Sequence, residues 1–232
     1  MNTITVITII ILIIVLFGGK FLSQYISKPG LKATFSNYDF YRYVNNYFIE
    51  KWITPKTQAE FIKNVKNFCN AKSLKQEAID ALGLDESELI EIEPIFFENF
   101  YLDLDKIEEQ ANVNSSGFLT KLAYAKDYFW KIDNNVLQTS KYQVTWLFCT
   151  QKQVCIYEKT FNLVKDETDT LTQQYLWKHI TSIAAVTNKV KNQKCDYLEI
   201  GVTGDKYTCV MERNDDTNKA IQAIKRKLVE FA

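Results

Sequence analysis

Histidine occurs once in these 232 residues, at position 179. A Ser-His triad, a Cys-His nucleophile pair or a histidine-based metal site would each depend on that residue. It lies in a strand-like stretch beside Trp177 and reads as a structural or surface histidine. Glycine is scarce too, and seven glycines leave little for a phosphate-cradling loop. None of the spacings CxxC, HExxH, GxGxxG, GxSxG or GxxxxGK followed by Ser or Thr occurs. Excess charge of either sign is missing, since 28 basic residues balance 28 acidic ones. That balance argues against non-specific nucleic-acid binding. Trp130, Trp146, Trp177 and their neighbouring tyrosines accordingly read as core rather than as a stacking platform. The five cysteines, at 69, 149, 155, 195 and 209, are odd in number and lack the dense pattern of a secreted disulfide framework. They read as small buried thiols in a reducing compartment. No catalytic residue, cofactor or metal ligand is expected, and the chain reads as non-enzymatic.

What the sequence does have begins with one long apolar run. Thr3 to Phe17 contains only apolar residues and threonines. Extended through Gly18, Gly19, Phe21 and Leu22 around a snorkelling Lys20, it reaches about 20 residues, the length needed to span a bilayer. Residues 1–22 therefore read as a transmembrane anchor. Lys20, Lys28 and Lys32 follow it, so the positive-inside rule places the carboxyl-terminal part in the cytoplasm of a single-pass cell- or inner-membrane protein. A cleaved signal peptide on an exported domain is the rival reading. It would want basic residues before the apolar run and a small-x-small site after it, and neither is present.

Residues 32–93 read as a small helical unit. Phe40, Tyr43, Val44, Tyr47 and Phe48 recur at three- and four-residue steps, one aromatic face of a helix. Thr54-Pro55 supplies a cap and a first-turn proline for a second helix carrying Phe61, Val65 and Phe68. Ser73 to Gln76 has capping-box spacing for a third, closed at Gly83, and Asp85 to Glu88 repeats the spacing for a fourth. No basic residue falls between Gln76 and Asp105, while Glu86, Glu88 and Glu91 lie within that stretch. They are a solvated helix face or a docking surface for a basic partner. The pairs Glu91/Glu93 and Asp103/Asp105 have nothing converging on them that would make a divalent-ion or acid-base site.

Residues 94–232 read as β structure closed by a helix. Ile95 to Tyr101 is a first strand, and Tyr128 to Ile132 leads into a turn at Asp133-Asn134-Asn135. The stretch Tyr142 to Phe161 is the central hairpin. With Gln151-Lys152 as its loop, Trp146 faces Tyr157, Phe148 faces Cys155 and Cys149 faces Val154, so both faces are apolar. Asn162 to Thr172 reads as a polar loop, and Tyr175 to Trp177 and Ile180 to Val186 as strand pieces. A last hairpin turns at Gly204-Asp205, which would set Leu198 against Met211 and Ile200 against Cys209. Asn214 to Asp216 caps a final amphipathic helix, Thr217 to Phe231, with Ala220, Ile221, Ile224, Leu228 and Phe231 on one stripe.

Short antiparallel strands followed by one amphipathic helix resemble the pleckstrin-homology-like fold. The segment Tyr175-Leu176-Trp177-Lys178-His179-Ile180-Thr181-Ser182-Ile183 is similar to the aromatic-x-x-x-Ile-x-x-Ile pattern of bacterial members. The stretches Lys141 to Phe161 and Ala81 to Tyr101 resemble an uncharacterised family of bacterial membrane-associated proteins. The resemblance implies an α+β chain: a transmembrane helix, a helical unit, then an antiparallel sandwich or barrel of two orthogonal sheets whose open corner the last helix plugs. It also implies a headgroup-binding loop early in the β domain. Lys131 and Lys141 flank that loop, and with Lys152 they are the candidate contacts for a lipid headgroup or protein partner. The expected function is a membrane-tethered interaction or scaffold module, its partners the membrane and a protein, with no nucleic acid. A subunit of a multi-chain enzyme or effector system is the alternative.

Overall fold

The computed structural model describes residues 37–49, 54–85, 87, 89, 92–103, 106–107, 128–134, 136–190 and 192–231. The elements begin with helices α1 (Asn37–Ile49), α2 (Pro55–Cys69) and α3 (Leu74–Leu82). Strands β1 (Ile95–Phe100), β2 (Trp130–Asp133), β3 (Val136–Thr139), β4 (Lys141–Cys149) and β5 (Gln153–Asn162) follow. Then come β6 (Glu167–Leu176), β7 (Ile180–Val190), β8 (Gln193–Val202), β9 (Asp205–Val210) and helix α4 (Asp215–Phe231). The fold is α+β, and every strand pair is antiparallel. Among the described residues three sheets form, in the orders β1-β4-β5-β6, β2-β3 and β7-β8-β9, and none closes into a barrel.

The β4–β5 hairpin takes the expected register, with Trp146 opposite Tyr157, Phe148 opposite Cys155 and Cys149 opposite Val154. Successive residues of a strand point to opposite faces, so a strand apolar on both faces needs cover on both. One face sends Val144, Trp146, Phe148, Cys155 and Tyr157 into a core shared with α1, α2 and α3. The other sends Leu147, Cys149, Val154 and Ile156 into a core shared with β7, β8, β9 and α4. Cys149 and Cys155 thus lie on opposite sides of the sheet, and all five cysteines are buried thiols. A third core joins Ile107, Tyr128 and Leu137 to Val190, Cys195, Tyr197 and Val210.

The helices follow their aromatic stripes. Phe40, Val44 and Tyr47 are the buried face of α1. Tyr47 stacks on Phe61 of α2 at 3.6 Å between ring centroids. Phe61 in turn stacks on Phe100 of β1 at 6.1 Å. Thr54 caps α2, its Oγ1 accepting from Thr57 N at 3.2 Å, with Pro55 in the first turn. Ser73 does not form the expected capping box. It closes a 3-10 turn, Ala71–Ser73, and its Oγ donates back to Asn70 O at 2.9 Å, because α2 has ended only one residue before that turn. Gly83 ends α3 in the left-handed conformation. The fourth expected helix, over Asp85 to Ile92, falls largely outside the described residues, as do the transmembrane run Thr3–Phe17 and Glu86, Glu88 and Glu91. Among the described residues no helix is long and apolar enough to cross a membrane. Residues Asn37–Ala232 form one compact unit.

Two further expectations are corrected. Asn162 to Thr172 is a loop only at its start, since β6 begins at Glu167 and pairs with β5 as far as Leu176. Six consecutive exposed residues open that strand, so no apolar alternation marks it in the sequence. In the last hairpin the loop is Thr203-Gly204, and Leu198 faces Cys209 while Ile200 faces Tyr207. The slip from the expected pairing is two residues, which keeps every side chain on its face. Leu198, Ile200, Tyr207, Cys209 and Met211 therefore all enter the core as their pattern demands.

Candidate binding cleft

β1 sits at one end of its sheet and has a ladder partner, β4, on one side only. Phe97 points to the inter-sheet core, while Phe96 and Phe100 pack toward the helices. At its far end the other edge is closed by Asn99, whose Nδ2 donates to Met211 O at 3.0 Å just after β9. α4 starts nearby. Asn214 Oδ1 accepts from Thr217 N at 2.9 Å, and Asn214 N donates to Thr217 Oγ1 at 2.9 Å, a reciprocal cap. Ile221 and Ile224 anchor the helix in the core, and Phe231 stacks on Trp177 at 5.8 Å. The small side chains Ala220 and Ala223 lie beside this anchored stripe and leave space between α4 and β1.

That space is a cleft of about 620 Å³, within the general range of roughly 300–1,000 Å³ for ligand sites. Ile92, Pro94, Ile95, Phe96 and Phe97 line one wall, and Thr217, Ala220 and Ala223 line the other. Charged groups ring it: Glu93, Glu98, Glu212 and Asp216 against Lys66, Lys219 and Arg226. Lys66 Nζ lies 2.6 Å from Glu212 Oε2 and 3.5 Å from Glu98 Oε1, tying α2 to both β1 and the end of β9. Burial works to lower the Lys66 pKa, but its hydrogen bond to Glu212 and the charges of Glu212 and Glu98 outweigh burial and raise it. At the mouth, Lys219 Nζ approaches Asp216 Oδ1 at 4.0 Å. An edge strand leaves alternate backbone N–H and C=O groups without a ladder partner. With an apolar floor beside them, the arrangement is suited to holding an extended segment by main-chain hydrogen bonds.

A second polar feature lies between the two larger sheets. Tyr207 Oη donates to Glu158 Oε2 at 2.8 Å, and Val210 N donates to Gln143 Oε1 at 3.1 Å. Burial raises the Glu158 carboxyl despite hydrogen bonds from Tyr207 and Gln143 that act to lower it. Burial also pushes the Cys209 thiol up to about 12.

The lysines singled out in the sequence do not converge. Lys131 lies on β2 with its Nζ 5.5 Å from the Tyr47 ring centroid, and Lys141 opens β4 with its Nζ 6.0 Å from that of Tyr101. Lys152 is exposed in the turn beyond the other end of β4, which at about 3.3 Å per residue is roughly 25–30 Å from Lys141. One small headgroup cannot bridge that distance. His179 is exposed, in a 3-10 turn between β6 and β7, while Trp146 and Trp177 are core residues. Among the described residues no group of three His, Cys, Asp or Glu side chains is placed to hold a metal ion. Lys66, Glu212 and Ala223 carry no sequence signal of their own, and Ala220, expected on the apolar stripe of the last helix, lines the cleft instead. The chain matches no protein-family model, no curated protein and no solved structure.

Proposed function

We propose that the chain is a membrane-tethered, non-enzymatic interaction module that docks an extended segment of a partner protein in the cleft between β1 and α4. One observation carries the docking reading: β1 has an unpaired edge along a cleft of about 620 Å³ lined by apolar and charged side chains together. The partner segment adds a strand to β1 and sets an aliphatic side chain between Ile95 and Ala223. The strand order supports a pleckstrin-homology-like architecture for the β part. β1, β4, β5 and β6 form one sheet, β7, β8 and β9 a second, and α4 follows the last strand. The β2–β3 hairpin is then an insertion between the first and second strands of that plan. In this reading residues 1–22 are the anchor, with the β part on the cytoplasmic side. A tether raises effective concentration at the membrane, so modest affinity in the cleft is enough.

The test uses the full chain in its membrane. A photo-crosslinking residue at Ala223 should give a discrete adduct with a partner, lost when Ala220→Trp fills the cleft. Failure to form any adduct from Ala223 and from Ala220 would overturn the docking role. Protease added to right-side-out membranes should leave a carboxyl-terminal tag intact on a chain of full mass. A digested tag, or a chain shortened by its first 20 or so residues, would overturn the tether and its orientation.

A further inference from the structure

β6 is the outer strand at the opposite end of the same sheet, paired with β5 along one side. Glu167 to Thr172 are all exposed, residues of both faces alike. Natural proteins blunt such edges with charged residues (lysine above all), proline, a bulge, short length or a covering element. Of these β6 carries only two acids, Glu167 and Asp169, near its start, and one contact toward its end, Gln174 Nε2 donating to Leu82 O at 3.2 Å. It is ten residues long, its ladder to β5 runs without a register shift, and no Lys or Pro lies between Glu167 and Leu176. Thr168, Thr170 and Thr172 give it β-branched residues suited to a strand. A long, regular edge with so little to blunt it is suited to pairing.

We infer that the occupant is a second copy of this chain, paired antiparallel along β6 about a two-fold axis at Leu171. The sequence of the strand argues for itself as partner. A two-fold axis perpendicular to the joined sheet keeps each residue on its face, so it must pass through a residue rather than between two. Centred on Leu171, Glu167 meets Tyr175, Asp169 meets Gln173, Thr170 meets Thr172, and Leu171 meets its own copy. No acid faces an acid, and Leu171, 40% exposed in the single chain, is covered by its equivalent. Centring on Asp169 would set two carboxylates against each other, which is destabilising for directly opposed residues. A centre on Thr172 pairs as many residues but sets exposed Leu171 against Gln173 instead of its own copy, and a centre nearer Leu176 pairs fewer. The result is one eight-stranded sheet running from β1 of one copy to β1 of the other, with both clefts at its outer ends. This inference stands apart from the docking reading, since it uses the opposite edge of the sheet.

The test introduces a cysteine on the axis in the full-length, membrane-inserted protein. Directly opposed residues in an antiparallel pair have Cα atoms about 4.5–5.5 Å apart, a separation a disulfide accepts. The five native cysteines are buried, so Leu171→Cys supplies the accessible thiol. Mild oxidation should crosslink Leu171→Cys into a homodimer on the order of tenfold more efficiently than Thr168→Cys, whose symmetry mate lies several residues away. Leu171→Lys should halve the mass measured by light scattering in detergent, while leaving the circular dichroism spectrum unchanged. Equal crosslinking at the two positions, or a wild-type chain that stays monomeric as concentration rises, would overturn the inference. Adducts of Leu171→Cys with a chain of different mass would overturn it in favour of a foreign strand.

Discussion

Glu158 reaches into the space between the two larger sheets, where Tyr207 Oη donates to it and Gln143 lies beside it. Burial disfavours its charged form, so its pKa lies above the ordinary 4.5 of a glutamate. Between that value and the raised one, the folded chain holds a proton that the unfolded chain has released. Stability contributed at this position is therefore present below the unfolded value and falls as pH rises through the folded one. Glutamine holds no charge at any of these pH values and can still accept from Tyr207. Glu158→Gln is thus expected to gain stability relative to the wild type at pH 7 and to lose that advantage at pH 4, as read from urea midpoints. An advantage of the same size at both pH values would show that charge burial is not the cause. Glu77 is the opposite case: hydrogen bonds from Lys159 and Tyr157 lower its pKa. Its contribution to the seam between α3 and β5 is present above the unfolded value and is lost as pH falls through the depressed one.

At the scale of single elements, the hairpin turns decide how far pattern alone can reach. Gly204 lies at φ +84, and a Cβ there would meet nothing within 4 Å. The cost of a side chain is then one of backbone conformation, about 1–2 kcal/mol for a residue forced into the left-handed region. Gly204→Val should lower stability by about that much and Gly204→Asn by less, since asparagine tolerates this region better. Chemical denaturation of the two variants checks the order, and a neutral valine would mean that the turn does not hold this conformation. The same turn shows what the sequence leaves open. Alternation in Leu198, Ile200, Tyr207 and Cys209 decides which face is buried, but pairings two residues apart satisfy it equally. The β4–β5 register was legible because both faces are apolar and its turn is short. The end of β6 was legible at Tyr175 and Leu176 but its first six residues were not, because an edge strand solvated on both faces needs no apolar alternation and takes its order from β5. The cleft was legible only in pieces. β1 and α4 each announce themselves, but the meeting of Lys66 with Glu98 and Glu212 depends on packing across 32 and 146 residues of chain, respectively.

At the scale of the whole molecule, β4 and β5 each serve both the core under the helices and the core between the sheets, and that makes a prediction about cooperativity. Trp146 joins the layers directly: its ring lies in the core beneath the helices, and its Nε1 donates to Ala71 O at 2.8 Å. Trp146→Phe keeps an aromatic ring but removes the indole donor, leaving Ala71 O with Leu74 N–H alone, a loss of about 0.5–1.5 kcal/mol. Were the helices a separate folding unit leaning on a finished β part, only they would feel the change. Leu147 and Cys149, neighbours of Trp146 on the same strand, belong instead to the core shared with β8 and α4. Loosening β4 from one side must then loosen its other side. Hydrogen exchange on the full chain in detergent should show amide protection falling by the same factor in α3 and in β8, with a single unfolding transition retained. Protection lost in α3 alone would separate the helical layer from the sheets energetically. Equal loss would mean that a partner binding at the β1 cleft is felt through β4 by the helices on the far face of the sheet.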